Sequence, residues 1–172
     1  EPYRRQRQMC IRDSNYTAST RLILKQCGLS DEDIDNRLIK VHGEASNNDI
    51  IFGVEDNAGI KKEHVFLRKA YNIKYKALNF SELYDRIKSV AIFGHSLGET
   101  DHTYFNKLFQ ESCMYNKFST NNNKEFWLFY YKENGYHCMM QQLDSLTHNS
   151  LTSFRQYNRV NFINTDKEKV FI

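Results

Sequence analysis

The residues best suited to chemistry are Gly94, His95, Ser96, Leu97 and Gly98, which follow Phe93 and the apolar, β-branched run Ser89-Val90-Ala91-Ile92. One chemistry is nucleophilic. G-x-S-x-G is the elbow that raises a serine at the end of a strand in α/β-hydrolases, with backbone N–H groups placed to stabilise an oxyanion. Ser96 would then be the nucleophile. An elbow needs a helix to start almost at once, whereas Leu97 to Asp101 intervene here and Thr100 or Asp101 is the better N-cap. The acid and histidine that must follow the serine reduce to Asp144 and His148, which share one short local segment. The hydrolase is the least favoured reading. A second chemistry is nucleotide binding, because glycine lets the backbone approach a phosphate and a helix N-terminus favours its charge. A tight strand-to-helix turn that holds no ligand is the third reading of the same residues.

These residues need a scaffold, and the hydrophobic pattern outlines one. Ala18 to Cys27 reads as a helix closed by Gly28, and the acidic stretch SDEDIDN from Ser30 reads as a turn. Leu38 to His42 is a strand ended by Gly43, Glu44 to Asp49 is a loop, and Asp49 to Val54 is a second apolar strand. Lys61 to Leu78 has helical spacing with a basic outer face, and Ser81 caps the short helix SELYDRIK. The strand Ser89 to Phe93 leads through the glycine turn into a helix from Asp101 to Met114. An aromatic strand, Phe126 to Tyr131, a helix from Tyr136 to Leu146 and a last strand, Arg159 to Ile163, complete the chain.

Helices alternating with apolar strands predict an α/β layered fold with a mostly parallel sheet. In such sheets ligands collect at the carboxyl ends of the strands. His42-Gly43, Gly53 and Gly94 to Gly98 all take that kind of position and could converge on one cleft.

The bulk properties narrow the field. With 172 residues, 40% apolar and 14% aromatic, the chain suggests a single globular domain with a sizeable core. A net charge of +3, from 24 basic and 21 acidic residues spread along the chain, leaves nucleic acid unsupported as a partner. No apolar stretch approaches the roughly 20 residues that span a bilayer, so a membrane location is not expected and a cytoplasmic one is. Four scattered cysteines, Cys10, Cys27, Cys113 and Cys138, form no C-x-x-C pair and read as reduced thiols. The opening EPYRRQRQMCIRDS has no periodicity and resembles translated adaptor sequence. Residues 1–14 are accordingly expected to be non-native and disordered, and residues 15–172 to be the C-terminal part of a longer, N-terminally truncated domain.

Four strings carry a family resemblance: NYTAST at Asn15 to Thr20, IKVHGE at Ile39 to Glu44, DIIFGVEDN at Asp49 to Asn57, and AIFGHSLGETDHTYF at Ala91 to Phe105. Together they resemble the bacteriophage abortive infection family AbiH, which implies a role in bacterial defence against phage. A more distant likeness is to sirtuin-like domains, whose asparagine segment, His-Gly pair, Phe-Gly strand end and G-T-S-L turn stand in the same order as Asn15, His42-Gly43, Phe52-Gly53 and Gly94 to Leu97. That likeness implies a sirtuin-like or Rossmann-like fold and a possible NAD-consuming hydrolase. By it, His42 is the general base toward a ribose hydroxyl, a role suited to a side chain that titrates near neutral pH. Asn15, Gly43, Gly94, Ser96, Leu97 and Asp101 would line the NAD. Sirtuins place a zinc module between their His-Gly and Phe-Gly segments, whereas only Glu44 to Ile51 lies between Gly43 and Phe52 here, so no zinc or other metal is expected. His42 is equally readable as a strand-end histidine satisfied by backbone, and Asp101 as a helix cap. The alternative to a nucleotide-dependent effector is a non-enzymatic protein that senses a phage component. Trigger, substrate and oligomeric state leave no mark in the sequence.

Overall fold

The computed structural model describes residues 10–13, 17–48, 50, 54, 58–68, 71, 84–114 and 123–167. Asn15, Phe52, Gly53 and the Ser81 cap lie outside the described residues, as does most of the strand expected over 49–54. Where composition marks no boundary, the fold divides into two compact units, Glu1–Leu78 and Asn79–Ile172. Both follow the α/β plan, with parallel strands flanked by helices in a Rossmann-like layering.

In the first unit, β1 (Ile11–Asp13) pairs in parallel with β2 (Leu38–Lys40), Ile11 opposite Leu38 and Asp13 opposite Lys40. The connection carries α1 (Ser19–Gln26) and α2 (Asp31–Arg37). Strand β1 falls inside the stretch set apart as disordered. Three residues suffice because parallel pairing with β2 satisfies their backbone, a non-local contact that local periodicity does not reveal. Helix α2 replaces the turn expected at SDEDIDN. The Ser30 hydroxyl accepts from the Asp33 N–H at 3.1 Å, and Asp31, Glu32 and Asp33 fill the first turn, where the helix dipole favours negative charge. Arg21 of α1 pairs with Asp31 and Asp35, and Ile34 seals the packing with no exposed surface. Gly28 ends α1 as expected, at φ +86°, where a Cβ would be strained. In the region expected to be helical from Lys61, a 3₁₀ helix occupies Lys62–Leu67 and Arg68 bridges in parallel to Val54.

The second unit is a three-stranded parallel sheet in the order β3-β4-β5, formed by Ser89–Ile92, Glu125–Tyr130 and Arg159–Asn164. Helix α3 (His102–Ser112) links β3 to β4, and α4 (Lys132–Leu146) with α5 (Leu151–Tyr157) links β4 to β5. All three connecting helices contribute to one core cluster against the sheet, which places them on the same face. Register confirms which residues meet them: Val90, Phe126 and Val160 form one row, and Ile92, Leu128 and Phe162 the next. Against these rows pack Leu108, Phe109, Met139, Leu143, Leu146 and Phe154. Phe109, Phe126 and Phe154 form a closed triangle with ring centroids 4.8 to 5.6 Å apart. The expected strands lie within a residue of these bounds, α4 begins four residues before its expected start, and α5 is an addition.

The amino edge of this sheet is fastened by polar groups. The Asn158 amide donates to the carbonyls of Ser112 at 2.7 Å and Phe154 at 2.8 Å, and its oxygen accepts from the Lys124 N–H at 3.2 Å. Lys124, 1% exposed, donates through Nζ to the carbonyls of Tyr84 and Ile87 at 2.6 and 2.8 Å, with the ammonium 3.9 Å from the Tyr84 ring centroid. These bonds tie the segment before β3 to the start of β4 and the ends of α3 and α5. The carboxyl edge, where the glycine turn lies, is built differently.

Candidate functional site

In the second unit β3 ends at Ile92, and the chain turns at Gly94 with φ +65°, a left-handed conformation that glycine adopts without strain. A Cβ built on Gly94 would meet nothing within 4 Å, so the turn is open on that side. Gly94 and Ser96 are exposed. Leu97 is fully buried in the core and holds φ +55°, a conformation that costs a branched residue on the order of 1–2 kcal/mol. A 3₁₀ helix at Glu99–Asp101 takes up the residues between the motif and α3.

Two histidines hold this strained residue. The Leu97 N–H donates to Nδ1 of His95 at 2.9 Å, and the Leu97 carbonyl lies 3.0 Å from Nε2 of His102. The same Nε2 stands 2.8 Å from Oε1 of Gln142 on α4. Nε2 of His95 faces Oδ2 of Asp101 at 3.4 Å, and its ring meets Phe105 edge-on at 5.3 Å between centroids. A side chain fixed by packing and by both ring nitrogens keeps one orientation.

This geometry revises the role expected of several residues. Asp101 makes no side-chain cap to α3, since its carboxylate is turned to His95 instead. Leu97 sends its side chain into the core, so that only its backbone belongs to the turn. The hydrolase arrangement is also disfavoured. A triad acid binds Nδ1–H of the base and leaves Nε2 to receive the serine proton. Here Nδ1 accepts from backbone and Nε2 faces the acid, and no described hydrogen bond engages Ser96.

His42 and Gly43 belong to the first unit. They form the turn after β2, with His42 half-buried and Gly43 buried at φ +76°. Next to them the carboxyl ends of β1 and β2 carry a buried ion pair, Lys40 Nζ to Asp13 Oδ2 at 2.7 Å, with only 12% and 3% of the side chains exposed. Glu44 lies 3.9 Å from the same ammonium, which also donates to the Thr17 carbonyl. Sequence reasoning passed over these charges. Asp13 lies in the adaptor-like opening, whereas Lys40 and Glu44 bracket His42-Gly43 in the sequence. The structure thus groups Gly94, Ser96, Leu97 and Asp101 in one unit, and His42 and Gly43 in the other.

Among the described residues, no group of three or more His, Cys, Asp or Glu side chains could hold a metal ion. No helix among them is long and apolar enough to cross a membrane.

The family described as bacteriophage abortive infection AbiH matches residues 4–131, about three quarters of the chain. No curated protein and no solved structure matches.

Proposed function

This chain belongs to the bacteriophage abortive infection AbiH family, whose role is defence against phage, and we propose that it serves that role as a nucleotide-binding effector. NAD or a related nucleotide would sit against Gly94 and Ser96. The observation that carries this reading is the position of the turn at the carboxyl end of β3, the middle of a strand–turn–helix unit in a parallel sheet. Ligands in open α/β sheets collect at that edge. The turn is also open at Gly94 and held rigidly at Leu97, as a preformed binding loop requires.

The sirtuin-like resemblance makes His42, in the first unit, the candidate general base if the nucleotide is consumed. Bacteria carrying the full protein and challenged with phage would show a fall in NAD with growth arrest. His42→Ala should abolish both while the protein still accumulates in folded form. Full arrest and NAD loss in that variant would remove His42 from the chemistry.

A second reading draws on a different observation. In the first unit Phe66, Leu67 and Tyr71, close together in sequence, are 66%, 40% and 68% exposed, and large apolar side chains left in water are the material of interaction sites. They fit a non-enzymatic sensor of a phage component. Capture of a phage protein by the wild type, lost in Phe66→Ser and unaccompanied by any change in NAD, would favour it.

A further inference from the structure

We infer that His95 and His102 are positioning residues that clamp the Leu97 peptide from both sides, and that this clamp fixes which groups the turn presents to a ligand. The clamp rests on the nucleotide reading only for the identity of that ligand.

Proton counting assigns the tautomers. A backbone N–H can only donate, so Nδ1 of His95, 2.9 Å from the Leu97 nitrogen, carries a lone pair. The neutral ring then has its proton on Nε2, the atom facing Asp101 Oδ2. A carbonyl can only accept, so Nε2 of His102 carries a proton shared between the Leu97 oxygen and Oε1 of Gln142. His102 is the first residue of α3 and Gln142 lies on α4, so the carbonyl side of the clamp is anchored in two helices. The amide side is anchored through Asp101 and the Phe105 ring.

Every polar group and the side chain of Leu97 are thereby used inside the protein. Within residues 94–98 the exposed positions are Gly94 and Ser96, with His95 and Gly98 half-buried and the neighbouring Phe93 exposed. A ligand recognised here is met by a hydroxyl and an unobstructed stretch of backbone, while the histidines stay behind it. The same counting removes His95 as a base for Ser96, because its lone pair is already taken by the Leu97 N–H.

The test is amide exchange in the unliganded full chain, read residue by residue by NMR. The Leu97 amide should exchange roughly tenfold faster in His95→Ala, the loss expected from one hydrogen bond to a ring nitrogen. His95→Asn, whose Oδ1 can stand where Nδ1 stands, should restore protection. The amides of Phe126 and Leu128 should be unchanged in both. Unaltered exchange at Leu97 in His95→Ala, acceleration of the Phe126 and Leu128 amides in parallel with it, or failure of Asn to restore protection would each overturn the clamp. Where His95→Ala does not fold, the ring-nitrogen spectrum of the wild type decides. A proton on Nε2 of both histidines supports the clamp, and a proton on Nδ1 of His95 contradicts it. All of these readouts are taken without NAD, so a broken clamp and a failure of NAD to bind are distinguishable.

Discussion

At the scale of the residue, Lys124 shows how a charge can be buried by giving it partners. Burial pushes its ammonium below the ordinary lysine range, and Asp85 and Glu111 only partly counter this. Its folded pKa thus lies below the unfolded value of 10.5, and between the two the unfolded chain binds more protons than the folded one. Stability contributed by Lys124 therefore rises with pH through that window. Cys113 and Tyr84 act in the opposite sense, because burial raises both above their unfolded values of 9.0 and 10.0. Comparing wild type with Lys124→Met, both carrying Tyr84→Phe to remove the phenol beside the ammonium, cancels the Cys113 contribution. Urea midpoints should show the chain that keeps Lys124 gaining on the Met variant as pH rises from neutral toward 10.5, and a constant or shrinking difference would contradict the assignment. Residue types alone could not reveal this site. Lys124 looks like any exposed lysine before a strand, and Leu97 carries no sign that it will turn left-handed.

At the scale of the element, the strands of the second unit and the glycine turn were legible because their signals are local. The run from Ser89 to Ile92, the aromatic β4 and the break at Gly94 all announce themselves within a few residues. Helix α5 did not, since LTSFRQY is seven residues long, with Leu151, Phe154 and Tyr157 as its large apolar or aromatic residues and no side-chain cap. The helix exists because Phe154 completes the aromatic triangle and Asn158 caps its carbonyl end. The expected turn at SDEDIDN failed for the opposite reason: a good cap and a favourable dipole outweighed a strongly polar composition. The amino-edge fastening makes a specific forecast. Asn158→Ala removes partners from two carbonyls and one buried N–H, and should cost about 2–3 kcal/mol by chemical denaturation. A loss under about 0.5 kcal/mol would mean that water replaces the amide.

At the scale of the whole molecule, the candidate site was legible as a list of residues but not as an arrangement. Gly94, Ser96 and Asp101 do share one turn, as their spacing suggested, yet His42 and Gly43 sit in a separate compact unit. Their partners, Asp13 and Lys40, are brought together by strand pairing over 27 positions of chain, and His102 meets Gln142 across 40. Such juxtapositions are products of the fold, and motif reading reaches only the ends of each link. Family membership fixes the biological setting, and the open, clamped turn suggests how this chain takes part in it.

Above all, we propose that a nucleotide binds against Gly94 and Ser96. The most direct test is calorimetric titration of NAD into the full-length chain and into Ser96→Trp, with the fold of the variant checked by its thermal transition. Saturable binding to the wild type, lost in the folded variant, is the predicted result. No binding to the wild type, or equal binding to both, would contradict the account.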